Sequence, residues 1–143
     1  MKIKSFFFIA FSILISFNSL SQNQDRKFKI HTLAFYNLEN LFDTINDINK
    51  DDEKSPIMEI KFNRGKIYKQ KVSNMARVIS DIGYDVTNRP PSIIGICEVE
   101  NRVVVEDLIA DEKLSKVNYG IVHYDSPDKR GIDVGLLYNK DVF

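Results

Sequence analysis

The chain has 143 residues, of which 43% are hydrophobic and 28% charged, the composition of an ordinary globular protein of one domain or part of one. Its 20 Lys and Arg balance its 20 Asp and Glu. No overall field therefore marks it as a nucleic-acid binder, and any grip on an anionic substrate must come from local groups or a bound metal.

The N-terminus reads as a targeting segment. "MKIK" supplies two lysines, "SFFFIAFSILISF" is an apolar core, and "NSLSQ" follows with small residues at Ser19 and Ser21. This three-part pattern predicts a signal peptide over residues 1–21, cleaved after Ser21, and an exported (periplasmic or secreted) protein. The alternative, a membrane anchor, asks for roughly 20 apolar residues, which this stretch does not reach. No membrane span is expected after cleavage. The single cysteine, Cys97, has no partner for an internal disulfide, and in "IIGICEV" it reads as a small buried apolar residue.

"FKIHTLAFYNL" alternates and is rich in aromatic and branched residues, which predicts a strand ending near Asn37. The acidic stretch "ENLFDTINDINKDDEKSP" reads as a solvated loop; it lacks the central Gly and spaced final Glu of a calcium-binding EF-hand loop. Tyr68, Val72, Met75, Ile79 and Ile82 then recur at helical spacing, with Gly83 as the stop. The basic run "KFNRGKIYKQK" falls on the entry and outer face of that helix and reads as solvated surface.

"PPSIIGICEV" is a nearly continuous apolar run, predicting a strand buried on both faces. Asn101 is placed to cap the next helix, "RVVVEDLIADEKL". "VNYGIVHY", "DSPDKRG" and "IDVGLLYN" follow as strand, turn and strand, a hairpin. The order β, loop, α, β, α, β, β argues for an α/β fold, a mixed β-sheet with flanking helices.

Two strands end in polar residues that burial does not call for, Asn37 and Glu98. Ligands of open α/β sheets gather beyond the carboxyl ends of strands. A carboxylate and an amide oxygen meeting there would suit a hard cation such as Mg²⁺, which stabilises charge on a phosphate and its leaving oxygen. The plainer reading is a Glu98 that is exposed where its strand leaves the sheet.

"FYNLENLFD" (35–43), "IIGICEVEN" (93–101) and "SPDKRGIDVGLLY" (126–138) together resemble successive motifs of the endonuclease/exonuclease/phosphatase superfamily, which includes pancreatic deoxyribonuclease and neutral sphingomyelinases. The resemblance implies the first half of a four-layer α/β sandwich of the deoxyribonuclease-like type. It also implies a metal-dependent phosphoesterase that uses Mg²⁺, with Mn²⁺ as an alternative, on a phosphate-ester substrate, DNA among the candidates. Residue by residue, Glu98 matches the metal-ligating glutamate and Asn37 the asparagine that helps hold the metal. Arg130 would contact substrate phosphate, or pair with a turn aspartate, and Asp133 would orient it. Glu100 would compensate the N-terminus of the following helix. The superfamily's Asp-x-Asn and Asp-His motifs, which activate the nucleophile, lie in the second half of such a domain and are not among the three stretches matched here. Neither His31 nor His123 stands in an Asp-His context, and His123 reads as a strand-end residue at the rim of the cleft. Residues 22–143 are therefore expected to be the N-terminal part of such a domain, with the C-terminal half missing and no activity alone. Two other readings stay open: an exported non-catalytic binding module or remnant of the same fold, and a phosphomonoesterase or sphingomyelinase-type enzyme. No stable protein partner is implied.

Overall fold

The computed structural model describes residues 27–143, so the predicted signal peptide lies outside the described residues. Four strands form one mixed sheet in the order β1-β2-β4-β3: β1 (Leu33–Leu41), β2 (Ile93–Val99), β3 (Tyr119–Tyr124) and β4 (Asp133–Asn139). β1 and β2 run parallel; β4 is antiparallel to both β2 and β3. The parallel pair requires a crossover, and the chain between β1 and β2 supplies it with three helices. These are the short α1 (Pro56–Glu59), the long α2 (Arg64–Asp81) and the single turn α3 (Tyr84–Thr87). α4 (Arg102–Ala110) connects β2 to β3.

α2 forms where the helical spacing predicts it, and it turns Val72, Met75, Ala76 and Ile79 inward. It stops as expected: Ile82 is extended and Gly83 takes φ 68°, a left-handed angle that glycine adopts without strain. The site is also too tight for a side chain, because a Cβ on Gly83 would lie 2.5 Å from the Thr32 hydroxyl. Asn101 caps α4 as expected, its Oδ1 accepting the Val104 N–H at 3.1 Å.

The core lies between the helices and one face of the sheet. Val72, Met75 and Ile79 of α2 and Val104, Val105 and Leu108 of α4 meet Leu38, Ile94, Ile96, Val99 and Leu137 of the strands. Fully burying each such side chain stabilises the fold by about 1.5–3 kcal/mol relative to exposure. Tyr68 closes the edge of this layer, its hydroxyl donating to Asp107 Oδ2 at 2.7 Å, and burial raises its pKa.

The opposite face is uncovered among the described residues. Leu33, Phe35, Val122, Tyr124, Val134 and Leu136 stand on it exposed. β2 is thus packed by helices on one side only, which corrects the expectation of a strand buried on both faces. Cys97 lies on this second face and is half-buried rather than buried; burial and then the charge of Glu98 raise its pKa, the opposite of a reactive thiolate. The Phe35 ring lies across Gly95, so close that a Cβ there would meet it at 2.5 Å.

A candidate metal centre at the end of the parallel strands

β1 and β2 pair in regular register as far as Asn37 and Cys97, and pairing resumes only at Leu41 and Val99. In the gap, three non-glycine residues adopt left-handed backbone: Glu39 (φ 53°), Asn40 (φ 57°) and Glu98 (φ 58°). Each such residue costs on the order of 1–2 kcal/mol, and such positions concentrate where a function holds them. Glu98 is the extra residue of a bulge, passed over by both neighbours, since the β2–β4 ladder also skips from Cys97 to Val99. Strict alternation would put Cys97 and Val99 on the same face. The bulge lets Val99 enter the core while Glu98 leaves the ladder.

The bulge brings Glu98 to Asn37. Asn37 Nδ2 donates to Glu98 Oε1 at 2.8 Å, and the Asn40 N–H donates to Oε2 at 3.1 Å. Asn37 Oδ1 accepts the Glu39 N–H at 2.6 Å, which fixes the amide's orientation. Behind the turn, Lys71 of α2 donates its ammonium to the carbonyls of Glu39 and Asn40, the latter at 2.9 Å. Burial lowers the Lys71 pKa, and the charges of Glu39 and Glu98 oppose that shift. Each carboxylate oxygen of Glu98 accepts one hydrogen bond, so lone pairs remain on both, as one does on Asn37 Oδ1. These hard oxygen donors fit a Mg²⁺- or Mn²⁺-class cation.

Glu100 turns the other way. It is 8% exposed, and its Oε2 accepts the Asp43 N–H at 2.6 Å. It therefore ties down the start of the acidic loop and leaves the helix N-terminus to Asn101, a correction to the expected role. Asn101 Nδ2 also reaches Asp43 Oδ2 at 3.3 Å, joining the two. Burial pushes the Glu100 pKa up to about 7, against the backbone hydrogen bond from Asp43, with the carboxylates of Asp43 and Asp52 adding to the rise.

The acidic loop is less solvated than its composition predicts. Asp52, in a short 3₁₀ turn (Asp52–Lys54), is 2% exposed and accepts the Asp47 N–H at 2.9 Å. The Asp51 N–H donates to Lys129 O at 2.7 Å, docking the loop on the β3–β4 turn. Between them lies a cleft of about 170 Å³ lined by Asn40, Phe42, Asp52, Ser55, Arg130 and Ile132.

Arg130 thus stands on the rim of a cleft that reaches Asn40. Its guanidinium grips Asp128 at 2.7 and 3.1 Å, which raises the pKa of Arg130 and holds that of Asp128 down at about 2. Asp133 does not orient it. Asp133 is 2% exposed, accepts the Ser126 N–H at 2.7 Å, and faces His123 inside the hairpin. The His123 side chain is accordingly buried inside the hairpin and does not line the rim of the cleft. His31 precedes β1 and pairs through Nδ1 with Ser92 Oγ at 2.9 Å.

The structure therefore unites Asn37 with Glu98, places Arg130 nearby, and puts Asp133 elsewhere. Sequence reasoning misses Asn40 and Lys71. The one available signal is that asparagine tolerates left-handed backbone better than most residues; nothing in the pattern of α2 singles out Lys71.

Residues 32–143 match the Endonuclease/Exonuclease/phosphatase family, and the chain belongs to that family. No curated protein and no solved structure matches it. The family consists generally of phosphate-ester hydrolases, phosphoesterases and nucleases that typically depend on a divalent metal. No described helix is long and apolar enough to cross a membrane.

Proposed function

We propose that the protein is the metal-binding part of an exported phosphodiesterase or endonuclease, with Glu98 as metal ligand and Asn37 as its partner in the site. The observation that carries this reading is the bulge at Glu98, which detaches one carboxylate from a buried strand and holds it with two hydrogen bonds. A bound Mg²⁺, or Mn²⁺ in its place, would supply charge stabilisation to a phosphate ester and its leaving oxygen. The chain's own residues provide the frame. Asn37 and the Asn40 N–H orient the Glu98 carboxylate, and Lys71 holds the turn that carries both donors. Arg130 would exchange Asp128 for a substrate phosphate, whose geometry a guanidinium matches. Asp133 supports this from behind, by fixing the turn through Ser126.

The group that activates the attacking water belongs, on this reading, to a further layer packed on the uncovered sheet face, completing a four-layer sandwich. The exposed apolar residues of that face support it. The signal-like N-terminus supports export; DNA is the substrate to try first. A non-catalytic module of the same fold is the second reading, favoured because no Asp-His pair occurs in these 143 residues and their one Asp-x-Asn, Asp47 to Asn49, lies in the acidic loop after β1.

The test is hydrolysis of a DNA duplex and of a simple phosphodiester by the protein carrying the entire domain, with Mg²⁺ and with chelator. Glu98→Gln should abolish the metal-dependent rate, and Lys69→Ala on the outer face of α2 should not alter it. Near-wild-type turnover by Glu98→Gln would sink the assignment. A wild-type protein inert toward both substrates would favour the binding module.

A further inference from the structure

His123, Asp125 and Asp133 each offer a ligand atom within 4.8 Å of the others, at the turn end of the β3–β4 hairpin. The side chains of His123 and Asp133 are only 4% and 2% exposed, whereas Asp125 is open to solvent. His123 Nε2 is buried and has no hydrogen-bond partner. It lies 3.0 Å from Asp133 Oδ2 but without the alignment of a hydrogen bond. The other Asp133 oxygen, Oδ1, accepts the Ser126 N–H, which leaves Oδ2 as the carboxylate edge that faces the unsatisfied ring nitrogen.

Buried polar atoms left in this state are rare and call for an occupant or a proton. Two atoms bound to one metal at about 2.0–2.2 Å, with ligand angles between octahedral and tetrahedral, stand roughly 3.0–3.5 Å apart. The 3.0 Å between His123 Nε2 and Asp133 Oδ2 falls in that range, and the exposed Asp125 side chain, within 4.8 Å of both, would close on the ion by rotation. One imidazole and two carboxylates form a donor set that transition ions prefer, because imidazole nitrogen suits zinc, iron and nickel and adds little for Mg²⁺ or Ca²⁺. Asp133 is held by the Ser126 N–H, and the exposed Asp125 side leaves room for water.

We propose that His123, Asp125 and Asp133 form a binding site for a zinc-class divalent transition ion, separate from the Glu98 centre and structural in role. The ion would clamp the start of β4 to the end of β3, and through Ser126 it would stiffen the turn that carries Arg130. Nε2 ligates through its lone pair, so the ring proton stays on Nδ1.

The probe is Zn²⁺ alone, titrated into the ¹⁵N-labelled chain while the imidazole nitrogens are followed by NMR. With only two histidines in the sequence, assignment is direct. One equivalent should displace the His123 Nε2 resonance and leave His31 unmoved. Asp125→Ala, exposed and therefore harmless to folding, should weaken Zn²⁺ by at least about tenfold. Glu98→Gln should bind it as the wild type does. The proposal is overturned if His123 does not respond, if both histidines respond equally, or if Asp125→Ala binds Zn²⁺ at wild-type strength. In those cases the pair is an internal His–Asp contact that needs no metal.

Discussion

Glu98 and Glu100 are two residues apart, yet their surroundings are opposite. Glu98 is pushed out of the sheet by a bulge, held by an amide and a backbone N–H, and left with free lone pairs. Glu100 is folded into the protein beside Asp43 and Asp52, where burial favours its protonated form. The backbone makes the difference, since a left-handed residue at 98 separates two side chains that strict alternation would place on one face. The lesson is that adjacent carboxylates in a motif need not share a task. One is arranged to meet a cation and the other to hold a loop.

Exchanging each for its neutral isostere should separate the two roles. Glu98→Gln should cost several kcal/mol of transition-state stabilisation, on the order of a thousandfold in metal-dependent rate, with little change in melting temperature. A large loss of stability with activity retained would reverse the comparison. For Glu100 the sign follows from its raised pKa. The folded state binds the proton more tightly than the unfolded chain, so stability falls as pH rises from the unfolded value of 4.5 to the folded value of about 7. Above that window the full cost of ionising Glu100 applies, up to about 3 kcal/mol. Glu100→Gln should therefore flatten the pH dependence of denaturant unfolding between those values and raise stability by about 2 kcal/mol above neutrality. An unchanged pH profile would contradict the protonated state assigned to Glu100.

Lys71→Met sharpens the comparison at the Glu98 side. It keeps the aliphatic stem and removes both donors to the Glu39–Asn40 turn. Affinity for Mn²⁺, read by electron paramagnetic resonance, should weaken about tenfold, as for other groups that hold a ligand in place. The smallest effect belongs to Asn101, which serves the Glu100 side. Asn101→Ala removes the α4 cap and should cost about 1 kcal/mol, measurable as a lower denaturation midpoint, without altering metal binding.

Much of this arrangement is legible in the chain. α2, α4 and the hairpin follow from periodicity and turn residues, and Gly83 and Asn101 mark their boundaries as local chemistry predicts. The likeness of three short motifs points to the family that the match over residues 32–143 shows. β1 is less legible: it begins at Leu33 and runs to Leu41, past Asn37, because its last residues reach β2 across a bulge. No single segment encodes that bulge, since it requires both strands. The burial of Asp52, the contact of Lys71 with a turn 31 residues away, and the pairing of Asp133 with His123 are likewise long-range outcomes. Local composition carries charge and period, and it does not say which polar groups the tertiary fold will bring together.

The paired irregularity between β1 and β2 also bears on how the sheet finds its alignment. A one-residue slip of a strand exchanges its two faces, and here both faces are apolar, so burial alone discriminates weakly against the slipped sheet. The left-handed residues at 39, 40 and 98 can face one another in only one alignment, and a slipped ladder would set each against ordinary extended backbone. The bulge that presents Glu98 thus also works as a key, rejecting misaligned pairings that the apolar pattern would tolerate.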